Sequence, residues 1–205
     1  MKKVVKFGGS SLANSDQFRK VGEIIRSEES RRYVVPSAPG KRFPEDTKVT
    51  DLLYACYKKA AAGEDFGEIL REIKERYYEI IRGLGLELSL EKEFGQIEED
   101  FKAQAGTDYA ASRGEFLNGK IMAAYLGYEF VDAASVIRFD KNGNFDGDKT
   151  DKLLEKRLAK CERAVIPGFY GAMEDGTVKT FSRGGSDITG SLVCLLYTSD
   201  AADEL

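Results

Sequence analysis

Two short stretches of this chain carry residues suited to handling an anion. In Val4-Val5-Lys6-Phe7-Gly8-Gly9-Ser10-Ser11, two β-branched residues start a strand that ends on a lysine. Two glycines then let the chain turn with φ > 0 and no Cβ in the way. Hydroxyls follow, and an amphipathic run begins soon after, with Ser15 or Asp16 placed to cap it. A strand, a glycine turn and a helix start gather backbone N–H groups and a positive dipole end around one point, which suits a phosphate. Lys6 adds a mobile point charge for the same anion. The plain alternative is an ordinary βα turn whose glycines serve only geometry. The second stretch, Ser182-Arg183-Gly184-Gly185-Ser186-Asp187, again sets a glycine turn before an apolar run, with Ser186 or Asp187 able to cap the helix. Arg183 offers a planar fork for a carboxylate or phosphate. Asp187 has three readings: it accepts from Lys6, holds a metal, or caps the helix.

Other chemistry is excluded by composition. The chain has no histidine, which removes Ser-His and Cys-His nucleophile pairs, HExxH metal sites and imidazole acid–base work. Catalysis would have to run on lysine, arginine, carboxylates, hydroxyls and backbone dipoles, favouring charge stabilisation over proton shuttling. Cys56, Cys161 and Cys194 lie far apart with no CxxC pair, so neither a disulfide framework nor a zinc site is expected, and no metal ligands are nominated. That usage, with no signal-peptide core and no apolar run long enough to span a bilayer, predicts a cytoplasmic protein. A net charge of −4 argues against broad nucleic-acid or membrane binding. At 205 residues, 42% apolar and 32% charged, the chain is long enough for one well-buried domain.

These residues need a frame. Phe18, Val21, Ile24 and Ile25 recur at helical spacing between strands predicted near 4–7 and 32–35, a βαβ unit that implies a parallel sheet. The turn 36–40 then falls at the same carboxyl edge as Gly8-Gly9, where open α/β folds bind ligands. Residues 50–127 read as helices, the clearest stripe being Phe66, Ile69, Leu70, Ile73, Tyr77, Ile80 and Ile81. Strand character returns at 128–132 and 135–139, at 164–166 and at 177–181, with a helix at 151–160 between them. Asp140 to Asp146 departs from the calcium-loop template at its sixth and twelfth positions, Phe145 and Asp151, and is read as a polar turn on Asn142-Gly143.

Other nucleotide signatures fail: there is no GxxxxGK[ST], no HRD or DFG, and Gly83-Leu84-Gly85 does not extend to GxGxxG. A phosphate site would be built from the two separate glycine turns. KFGGSS at 6–11, VPSAPG at 35–40, VTDLL at 49–53, SRGEFLN at 112–118, PGFYGA at 167–172 and SRGGSDITGSL at 182–192 occur in this order, and together they resemble the aspartate kinases of the amino-acid-kinase superfamily.

The resemblance implies a three-layer α/β/α sandwich around a largely parallel sheet, formed by residues 1–193 as an incomplete kinase domain. It implies ATP- and Mg²⁺-dependent phosphorylation of the side-chain carboxylate of L-aspartate, the first step towards lysine, threonine and methionine. By resemblance, Lys6 stabilises the transferring phosphoryl group, Gly8, Gly9, Ser10, Gly184 and Gly185 belong to the nucleotide side, and Asp187 orients the lysine. Arg183 would grip the substrate α-carboxylate and Glu115 its ammonium; Thr50, Phe169 and Ser186 line the amino-acid pocket and Ser37 its reacting end. The substrate carboxylate is already ionised at neutral pH and needs no general base, so positioning and electrostatics carry the reaction. Two departures stand out: the extra residues 41–48 before Val49-Thr50, and Ser182 where glycine is usual. Family members continue into a nucleotide-binding half and regulatory ACT domains and can be homo-oligomers. Residues 194–205 resemble translated adapter read-through, a non-native tail. The chain is accordingly expected to be weakly active or inactive, and the 66–81 stripe and the strand edge at Val165 to lack cover. The other readings are a kinase for glutamate or acetylglutamate, a non-catalytic amino-acid- or nucleotide-binding module, and an artefactual fragment.

Overall fold

The strands are β1 (Lys3–Phe7), β2 (Arg31–Pro36), β3 (Glu129–Phe130) and β4 (Ala164–Val165), with a separate hairpin of β5 (Tyr170–Ala172) and β6 (Val178–Thr180). A computed structural model describes residues 2–182 and 184–199. The first four strands form one sheet in the order β1-β2-β4-β3, every pairing parallel, while β5 and β6 pair antiparallel. Successive side chains of a strand face opposite ways, and that alternation splits the core in two. Val34 and Val165 join one cluster, Tyr33, Ala164 and Ile166 the other.

The first face is covered by α1 (Ser15–Arg26), α2 (Val49–Ala61), α3 (Gly67–Leu84), α4 (Glu91–Lys102) and α5 (Thr107–Leu126). The second carries α6 (Ala133–Val136), α7 (Gly147–Leu158), the β5–β6 hairpin and α8 (Gly185–Ser199). Helices on both faces of a parallel sheet make the predicted three-layer α/β architecture. Among the described residues, no helix is long and apolar enough to cross a membrane.

Several local expectations are corrected. The stripe at 66–81 is not left bare: Leu70, Ile73, Tyr77, Ile80 and Ile81 are all buried, because α3 lies against α1, α2 and α5. Nor is Val165 at an edge, since β4 sits between β2 and β3 and Val165 is fully buried. The span 135–139 is not a strand. Asp132 accepts from the Ala134 N–H and starts the short helix α6, after which Arg138 and Phe139 make only isolated bridges. Helix α1 is capped by Asn14, which accepts from the Gln17 N–H, and not by Ser15 or Asp16. A 3-10 turn at Gly9–Leu12 separates the first glycine turn from it. The polar turn is present: Asp140 Oδ1 accepts from the N–H groups of Asn142 and Asn144.

Candidate functional site

Strand β1 delivers Lys6 to the carboxyl end of the sheet, where it pairs in register with Val35 of β2. The helix that starts beside it is α8, not α1. Asp187, in the first turn of α8, places Oδ1 2.9 Å from Lys6 Nζ. With its side chains 31% and 70% exposed, this pair is worth at most about 1 kcal/mol of stability, so the fold gains little from it. The Lys6 amine also stands beside Gly8, 3.9 Å from where a Cβ would lie. Ser186 and Asp187 are inside α8 and do not cap it; the Gly184 carbonyl accepts from the Asp187 and Ile188 N–H groups instead. Arg183 lies outside the described residues.

The turn at 36–40 reaches the first glycine turn through backbone alone. Ser37 N–H donates to the Phe7 carbonyl at 3.0 Å and Gly40 N–H to the Gly9 carbonyl at 2.8 Å. A Cβ on Gly40 would stand 2.6 Å from the Gly9 carbonyl carbon, so only glycine allows this approach. Beside the two turns opens a cleft of about 470 Å³, whose lining includes Gly9, Ser10, Ser37, Thr50 and Glu115. Ser186 joins it from α8: Ser37 Oγ donates to Ser186 Oγ at 3.0 Å. Phe169, on the loop before β5, packs against Gly185 with φ +83, a backbone conformation costly for a bulky residue. Its N–H donates to Thr189 Oγ1.

Helix α5 carries the most unusual group of the cleft. Gly114 lets α5 press onto the 36–40 turn, since a Cβ there would lie 2.8 Å from the Ala38 Cβ. Glu115 is thereby only 6% exposed, and its Oε2 has no hydrogen-bond partner. Burial pushes its pKa up to about 7, against the opposing pull of the Ala38 N–H that donates to it and of the nearby Arg113 guanidinium. One helical turn on, Asn118 donates from Nδ2 to the Ser37 carbonyl at 2.6 Å and leaves Oδ1 unpartnered. The site therefore brings together Lys6, Gly8 and Asp187 on one side and Gly9, Ser10, Ser37, Thr50 and Glu115 on the other, with the Ser37–Ser186 bond between them.

Sequence reasoning did not single out Asn118, Thr189, Lys41 or Lys48. Asn118 stands three residues from Glu115 on the same helix face, a spacing that could have nominated it. Lys41 and Lys48 line the cleft from the loop noted above only as a departure.

The model of the amino acid kinase family matches residues 1–200. This chain belongs to that family. Among its relatives, aspartokinase 3 of Bacillus subtilis is 40% identical over 205 residues, spanning 93% of this chain and 45% of that protein. The crystal structure of Clostridium acetobutylicum aspartate kinase superposes with a TM-score of 0.91 at 50% identity, over 94% of this chain and 45% of that one. The structure of E. coli aspartokinase III in complex with aspartate and ADP superposes with a TM-score of 0.79 at 26% identity, over 97% and 47%. The chain thus spans about half the length of the relatives it matches.

Proposed function

We propose that the cleft binds L-aspartate and that the activity of which this chain forms part is ATP-dependent phosphorylation of its side-chain carboxylate. The observation that carries this reading is Glu115: a buried carboxyl in the lining of the cleft, one of its oxygens without a partner, calls for a cationic donor from a ligand. An α-ammonium supplies one. In this reading Thr50, Phe169, Ser186 and Arg183 hold the rest of the amino acid, and Ser37 stands at its reacting end. A carboxylate oxygen attacks the γ-phosphorus of ATP, the bond to the β-phosphate oxygen breaks, and ADP departs with the electron pair. Lys6, with the N–H groups around Gly8, Gly9, Ser10, Gly184 and Gly185, offsets the charge of the phosphoryl oxygens, and Asp187 keeps the lysine aimed. Among the described residues, no three acidic, cysteine or histidine side chains group as metal ligands do. The donors present fit Mg²⁺ carried by the nucleotide, where it would neutralise phosphate charge, better than a resident ion.

The relatives named aspartokinase support aspartate over glutamate or acetylglutamate. Calorimetric titration of the chain with L-aspartate, L-glutamate and N-acetyl-L-glutamate tests the reading. Binding of L-aspartate at least tenfold tighter than the other two is expected. N-acetyl-L-glutamate, which has no ammonium, binding as well as L-aspartate would remove the role given to Glu115 and the proposal with it.

A further inference from the structure

The extra loop, residues 41–48, is held by a buried charge cluster. Arg76 of α3, only 3% exposed, donates to the Gly40 carbonyl at 2.9 Å and to the Thr47 carbonyl at 3.1 Å, grasping the loop at both ends. It also pairs with Asp46 Oδ2 at 3.0 Å. Asp46, 8% exposed, accepts from the backbone N–H, Nε and Nη2 of Arg42, and Arg42 Nη1 reaches Glu79 Oε2 at 2.9 Å. Buried ion pairs seldom stabilise a fold more than apolar packing of the same volume. What this one does is tie both ends of the loop to α3.

The loop held in this way sets Lys41 and Lys48, at its two ends, on the wall of the cleft that also holds Glu115. Lys41 Nζ donates to the Pro44 carbonyl at 3.0 Å. Among the described residues, no carboxylate lies within ion-pair distance of either lysine. The cleft therefore presents one buried carboxyl and two uncompensated cations, the complement of a small amino acid that carries an ammonium and extra negative charge. We propose that Lys41 and Lys48 form a second cationic wall that recognises the negative charge of a dicarboxylic amino acid, and that the Asp46–Arg76 clasp positions them. This rests on reading the cleft as the amino-acid site. A preset loop spares the ligand the cost of ordering it.

The test is calorimetry of L-aspartate with the wild-type chain and with Lys41→Met/Lys48→Met, at low salt and at about 0.3 M NaCl. The double variant should bind roughly fivefold to tenfold more weakly at low salt, lose most of the salt dependence, and melt at the wild-type temperature. Asp46→Asn should weaken binding in the wild-type background and add nothing in the double variant, a coupling that general destabilisation does not produce. Equal affinity and equal salt slope in wild type and double variant would overturn the role of the lysines while leaving the aspartate reading intact. Equal losses from Asp46→Asn in both backgrounds would remove the clasp. No binding by the wild type would refute both readings together.

Discussion

Glu115→Gln isolates the cost of the buried carboxyl. In the native chain its pKa is raised from the ordinary 4.5 to about 7, mainly by burial. Below pH 4.5 the group is protonated in folded and unfolded chains alike, and there is no penalty. Between 4.5 and 7 the native state keeps a proton that the unfolded chain has released, so stability falls as pH rises. Above 7 the carboxylate is ionised in both states and the full penalty of about 3 kcal/mol applies. Glutamine keeps the shape and can still accept from the Ala38 N–H, but it never ionises. The variant should match wild type near pH 4.5 and be more stable at pH 8 by up to about 3 kcal/mol, or about 6–12 °C in Tm for a chain of this size. Thermal melts across that pH range read the difference directly. The ligand supplies an independent check: an ammonium that settles on Glu115 favours its ionised form, so L-aspartate binding near pH 6 should release a proton into the buffer and near pH 8.5 should not. Melting curves that run parallel across the pH range, or a glutamine variant less stable at pH 8, would refute the account of Glu115 as a buried carboxyl that lacks a partner.

Asp46→Asn should lower stability by about 3 kcal/mol at pH 7 in urea unfolding, because it leaves Arg76 buried beside an uncharged partner. The Arg42 guanidinium and backbone N–H hold the Asp46 carboxyl well below the usual range, so its contribution is present above about pH 4 and is lost as pH falls further. Gly40→Ala should cost about 2–4 kcal/mol, since the Cβ would meet the Gly9 carbonyl carbon and the Ser10 nitrogen, backbone atoms at 2.6 and 2.8 Å that cannot step aside. Its L-aspartate affinity should fall with it, whereas Gly95→Ala, inside α4 where a Cβ meets nothing within 4 Å, should leave affinity unchanged and raise stability by up to about 1 kcal/mol.

What could be read from the chain alone was what lies close together in it. The β1–α1–β2 unit follows from two β-branched residues, a glycine pair and an amphipathic run within 35 residues, and α3 from an unbroken stripe. Ser135 to Phe139 has the β-branched and aromatic residues of a strand, yet the Asp132 side chain caps a helical turn first, and a local hydrogen bond outweighs composition. Helix α5 has no polar face to give it a stripe: Ser112, Arg113, Glu115 and Asn118 are all buried, because it is wedged between the sheet and the helical layer.

The residues that hold the cleft in shape were harder to read, for a different reason. Lys6, the glycine pairs and Asp187 sit in short runs whose composition advertises chemistry. Arg76, Asn118 and Thr189 act on backbone atoms of distant segments: Arg76 on the carbonyls of Gly40 and Thr47, Asn118 on that of Ser37, Thr189 on the N–H of Phe169. Any residue type can offer a carbonyl or an N–H, so the backbone end leaves no mark in the sequence and the side-chain partner looks like one more polar residue on a helix. A site made of motifs is thus legible, and the scaffold that fixes the distances between those motifs is not. Because the reaction proposed here depends on charge placed at the right distance rather than on proton transfer, it is that scaffold, the contacts from α3 and α5 onto residues 37–47 and from α8 onto Phe169, that would decide how well the cleft works.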